Sequence, residues 1–143
     1  IVDDIDEIRD LYMAIPLGFR SEGNFLCFGS IDHLWEVLGF CYGMSEERNF
    51  IADRLRYGVA VNILSPKCDF LRQMTERDSL ERRAMRIAPA IPLQKDLMIL
   101  GEKTGFVFVT DKEHPRCLVV RRPEILSLYR SAFDAHWRSA ISQ

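Results

Sequence analysis

The sequence predicts an α/β protein: a mixed central sheet with helices on both faces. Three observations carry this. First, residues 97–100 and 106–109 are unbroken apolar runs joined by Gly101-Glu102-Lys103-Thr104-Gly105. That is the pattern of a hairpin whose strands are buried on both faces, with glycines where the turn calls for positive φ. Second, the apolar segments 24–28 and 59–64 are separated by helical patterns, which makes a strand–helix–strand unit and hence a parallel pair. Third, the stretch from Pro123 places Ile125, Leu126, Tyr129, Ala132, Phe133, His136, Trp137 and Ala140 on one wide apolar helix face.

From the start of the chain, Ile1, Ile5, Ile8, Tyr12 and Ile15 recur with gaps alternating four and three, among Asp3, Asp4, Asp6, Glu7 and Asp10. This is a helix over 1–15. The spacing fits a coiled-coil seam and equally an amphipathic helix packed on its own domain. Ile15-Pro16-Leu17-Gly18 ends it. A chain that opens inside a helix, without Met, is expected of a segment of a longer polypeptide.

Gly29-Ser30 closes the first strand. Asp32 is placed to cap a helix that buries Leu34, Trp35, Val37 and Leu38, and Gly39 and Gly43 break it. Ser45 is placed to cap the next helix, with Glu46 and Glu47 in its first turn as ordinary N-terminal charges. Phe50, Ile51 and Leu55 form its stripe, and Gly58 stops it. Ser65-Pro66 ends the second strand. A short helix and polar loop follow over 68–79, then a less buried strand over 82–87, suited to a sheet edge before Pro89 and Pro92. After the hairpin, residues 111–115 read as an exposed loop and 117–120 as the last strand.

At 143 residues, with 48% hydrophobic and 28% charged residues, the chain fits one soluble domain with a real core. Its net charge of −2 argues against gripping a phosphate backbone by itself. No apolar run approaches a membrane span, and no signal peptide is visible. Cys27, Cys41, Cys68 and Cys117 lack CxxC spacing and read as buried free thiols of a reducing cytoplasm.

Chemistry is sparse. His114 and Cys117 lie three apart, but a closed zinc site needs about four ligands and no second pair is near. No metal or cofactor is expected. His33 reads as a helix-surface residue and His136 as a core histidine. The arginines, Arg54, Arg56, Arg82 and Arg83 among them, read as solvated charges, a minority of which could hold an anion. Nucleophile-elbow, P-loop and dinucleotide fingerprints are missing. Ligands of open α/β sheets sit beyond the carboxyl ends of parallel strands, which nominates Gly29, Ser30 and Ser65.

The order of blocks is itself informative. Leu26-Cys27-Phe28-Gly29-Ser30 precedes a helix, then Phe50 to Leu64, then Arg86-Ile87-Ala88-Pro89. Next come the hairpin with Ile99-Leu100-Gly101-Glu102-Lys103, then Leu118-Val119-Val120, Pro123-Glu124-Ile125, and Tyr129 to Trp137. Over residues 11–140 this resembles the effector-sensing domain of TrmB-like transcriptional regulators, whose fold is similar to phospholipase D. The resemblance implies a phospholipase D-like sensor over 16–143. Residues 1–15 would be the end of a linker or dimerisation helix, with DNA held by an upstream helix-turn-helix domain.

That superfamily's catalytic motif is His-x-Lys-x-x-x-x-Asp. On this hairpin its three positions fall at Gln94, Asp96 and Gly101, none of which has the needed chemistry. The resemblance therefore implies a cytoplasmic, non-catalytic homodimer. Its effector would be a small molecule such as a sugar, for which the resemblance carries over no contact residues; the strand-end rule nominates Gly29, Ser30 and Ser65, joined by Gln94 and Asp96 if the old cleft survives. Two other readings remain. One is a protein-interaction module on the same scaffold with no small-molecule ligand. The other is an enzyme using Cys27 or Cys41 as a thiolate.

Overall fold

The computed structural model describes residues 1–67, 71–88 and 96–142. The elements run α1 (Ile5–Met13), α2 (Ile15–Gly18), β1 (Asn24–Gly29), α3 (Ile31–Leu38), α4 (Ser45–Arg56), β2 (Ala60–Ser65), α5 (Leu71–Thr75) and β3 (Arg83–Ile87). They continue with β4 (Leu97–Leu100), β5 (Gly105–Val109), β6 (Arg116–Val120), α6 (Pro123–Ser139) and β7 (Ile141–Ser142). The strands form one mixed sheet in the order β6-β5-β4-β1-β2-β3-β7. β1, β2 and β3 are parallel, while β4, β5 and β6 form an antiparallel meander joined to β1. The expected α/β architecture with a central hairpin is present.

The unbroken apolar runs have a simple cause. Leu97, Met98, Ile99 and Leu100 are all buried, and the twofold pleat sends them alternately to two cores. Phe25, Cys27, Val61, Ile63, Leu97, Ile99 and Phe108 face a layer that includes α1 and α3. Phe28, Leu64, Met98 and Leu100 meet Leu126 and Phe133 of α6 on the other face.

The N-terminal helix is shorter than its pattern. Asp4 caps α1 by accepting from the Glu7 amide at 3.1 Å, and Ala14 closes it before the short α2. Ile8, Tyr12 and Ile15 are buried in this chain's own core, whereas Ile1 is 89% exposed. Tyr12 stacks on Phe50 with centroids 4.6 Å apart, and its hydroxyl accepts from the Trp35 indole at 2.9 Å. Val2 exchanges two backbone hydrogen bonds with Cys117, of 2.9 and 2.7 Å, and so pins the start of the chain to the outer strand.

Several sequence expectations are corrected. The turn glycines of the hairpin are not at positive φ; that conformation belongs to Gly23, Gly29, Gly39, Gly43 and Gly58. Gly101 is required because a Cβ would lie 2.2 Å from the Phe19 ring, and Gly105 because one would lie 2.7 Å from Leu126. Ser30 and Met44, not Asp32 and Ser45, hold the N-cap positions of α3 and α4. β3 is no edge, because β7 pairs beyond it, and so β6 is not the last strand. Cys27 and Cys117 are buried thiols but Cys41 is exposed, and Cys68 lies outside the described residues.

Arg54 and Arg83 are not solvated. The Arg83 guanidinium, 1% exposed, donates to Asp78 at 2.8 Å, Glu81 at 3.0 Å and the Met74 carbonyl at 2.7 Å. Arg54 donates to the Val59 carbonyl at 3.0 Å. Burial, then the like charge of Arg83, pulls its guanidinium down to about 10, so it stays cationic at neutral pH. Glu47, read as an ordinary first-turn charge, is buried as well.

Candidate functional site

The carboxyl end of β1 is welded to the start of β4. Gly29 adopts φ +128, and a Cβ there would lie 2.1 Å from the Asp96 carbonyl oxygen, so only glycine permits this approach. That carbonyl accepts the Ser30 amide at 3.2 Å, while Ser30 opens α3. The Asp96 carboxylate turns the other way. Its Oδ1 accepts from the Thr110 amide at 3.0 Å and from the Thr110 hydroxyl at 3.4 Å, which ties the start of β4 to the end of β5.

A shallow groove of about 770 Å³ lies over this junction, lined by His33, Glu36, Asp96, Thr110, Asp111 and Lys112, with Val109 beneath. His33 and Glu36 are three apart on α3 and share a face. Lys112 forms an ion pair with Glu36 across the groove. The Lys112 hydrogen bond, followed by its charge, holds the Glu36 carboxyl below the usual carboxylate range. Beyond that pair a second groove, of about 700 Å³, runs to Asp3, Asp4 and Ile5 at the start of α1. Glu36 and Lys112 line both, so the pair partitions one acidic trough.

The nominated residues divide. Asp96 lines the groove. Gly29 and Ser30 are buried behind it and shape it through backbone contacts. Ser65 is not brought in: it is fully buried, its hydroxyl donates to the Pro66 carbonyl at 2.9 Å, and its carbonyl accepts from Ala88. Gln94 lies outside the described residues. His33, Glu36, Thr110 and Lys112 were not nominated. The hairpin register was the available signal, because pairing Leu97 with Phe108 brings Asp96 opposite Val109 and next to Thr110.

Carboxylates, a hydroxyl and one ammonium suit hydrogen bonding to a polar ligand. Among the described residues no three His, Cys, Asp or Glu side chains gather as a metal site. The buried Cys27 thiol is pushed up to about 12 by burial, with Arg54 opposing, so it is protonated at neutral pH. No helix among the described residues is long and apolar enough to cross a membrane. Comparison with protein-family models, curated proteins and solved structures finds no match to this chain.

Proposed function

We propose that this chain is the effector-sensing and dimerising domain of a TrmB-like transcriptional regulator, built on a phospholipase D-like scaffold and non-catalytic. The observation that supports the reading is the polar groove at the carboxyl end of β1, with Asp96, the residue that falls on the lysine position of the motif in sequence, among the residues that line it. Asp96 would repel a phosphate, and its carboxylate is engaged by Thr110. The motif's aspartate position, Gly101, has no room for a side chain beside Phe19. A scaffold altered in this way recognises without reacting. The mixed acidic and hydroxyl lining favours an uncharged polyol over a phosphorylated one.

A calorimetric titration with unphosphorylated sugars and polyols, run alongside small-angle scattering, tests the proposal. The expected result is a dimer that binds one ligand class, with binding weakened at least tenfold by Asp96→Ala. A strict monomer, or hydrolysis of a phosphodiester by the purified chain, overturns it. A dimer that ignores the whole library favours the interaction-module reading instead.

A further inference from the structure

The surface around Tyr57 is rich in the residues that protein interfaces favour. The Arg20 guanidinium lies 5.5 Å from the centre of the Tyr57 ring, and the Arg56 guanidinium lies 4.8 Å from it. A Cβ at Gly58 would lie 3.6 Å from Arg82 Nη1, so a third guanidinium comes to the same place. Arg82 holds φ +50, a left-handed conformation uncommon outside glycine. Leu17 of α2, 55% exposed, and the exposed Leu55 of α4 add apolar side chains, and α2 packs on α4. Tyrosine and arginine are enriched where proteins meet. Asp53 pairs with Arg56 at 2.9 Å, but among the described residues Arg20 and Arg82 are in no ion pair.

The complement of this patch stands on the same run of helices. Glu7 and Asp10 lie three apart on an exposed face of α1, and Ala14, Leu17 and Arg20 continue the exposed positions through α2 and just past it. Neither acid is in an ion pair among the described residues. Asp10 sits in the last turn of α1, which holds no basic residue, so the helix dipole disfavours its charge. The strip is thus acidic at one end and basic at the other, with a small and an apolar residue between. A second copy turned end for end about an axis near Ala14 and Leu17 meets each end with the opposite charge. We propose that two copies of this chain associate through this strip, antiparallel, with Glu7 and Asp10 of each facing Arg20 and Arg56 of the other and Leu17 at the centre. The net charge of −2 leaves little overall repulsion between them. The inference rests on the dimer of the proposed function and not on its effector.

Sedimentation equilibrium on the full chain tests this. The wild type is expected to dimerise, and more weakly as salt rises. Arg20→Glu with Arg56→Glu, and separately Glu7→Lys with Asp10→Lys, should each weaken dimerisation by roughly tenfold or more. Mixed together, the two variants should pair with each other, because each then carries the uniform charge that the other lacks; a variant damaged in its fold gives no such rescue. Circular dichroism checks folding, and if either variant fails that check the salt dependence of the wild type decides. A wild-type dimer no weaker at high salt, or folded variants that dimerise as the wild type does or fail to pair when mixed, overturns the inference and leaves the dimeric reading standing. A wild type that stays monomeric at every concentration overturns both.

Discussion

The two faces of the sheet are covered in opposite ways. One lies under several helices and admits charge: Arg54, Arg83 and Glu47 are buried on that side. The other lies under α6, and its buried residues are apolar, Phe28, Leu64, Ala88, Met98, Leu100, Leu126 and Phe133. The difference has a physical source. Where helices end above a sheet, their loose carbonyls and those of the loops that follow offer acceptors: Arg83 uses Met74 in the last turn of α5, and Arg54 uses Val59 in the loop between α4 and β2. A lone covering helix offers such groups only at its ends. There Arg86 binds the Trp137 carbonyl at 2.8 Å and lies 4.4 Å over its ring, a cation at a helix C-terminus. Between those ends the contact with α6 has to be dry.

The largest effect should come from the face with one cover. Phe133 meets Phe28 edge-on at 5.9 Å and stacks on Trp137 at 5.5 Å. Phe133→Ala is expected to cost about 3–5 kcal/mol in urea unfolding and to raise hydrophobic-dye binding before the main transition, as α6 loosens first. A single transition with no dye signal would show that the two faces are not separable. Next comes the charged face. Arg83→Met should cost about 3 kcal/mol, because Asp78 and Glu81 lose their buried partner. Adding Asp78→Asn should return part of that loss, and strict additivity would break the account.

The smallest effect sharpens the comparison through pH. Burial raises the folded-state pKa of Glu47, so its contribution favours folding below the unfolded value of about 4.3 and is lost as pH rises through the folded value. Glu47→Gln should therefore gain stability relative to the wild type between about pH 4 and 7. Melting curves at both ends of that range decide it, and a constant or shrinking gap would mean that the carboxylate is better solvated than its burial implies.

Much of this fold was legible because burial on both faces leaves short apolar runs bounded by turn residues, as at Leu97–Leu100 ahead of Gly101. The hairpin, the parallel pair of β1 and β2 and the closing helix were all readable in that way. What escaped depends on tertiary context. Charge alone says nothing of Arg83, whose acceptors lie two, five and nine residues away around a folded loop. A two-residue strand such as β7 carries no periodicity to detect. The groove was half legible. Asp96 was nominated through a motif register, and the same hairpin register could have supplied Thr110, but His33, Glu36 and Lys112 meet only once α3 is docked on the sheet.

The strand order also has a corollary in time. The meander of β4, β5 and β6 closes through short turns, whereas β1 must find β4 across some seventy residues of intervening chain. Local pairings form quickly and distant ones slowly. The seam between β1 and β4, where Gly29 meets Asp96, is thus expected to close after the meander. A chain stalled there would hold an assembled hairpin beside an unfinished parallel half, and the groove over that seam would be the last surface to take shape.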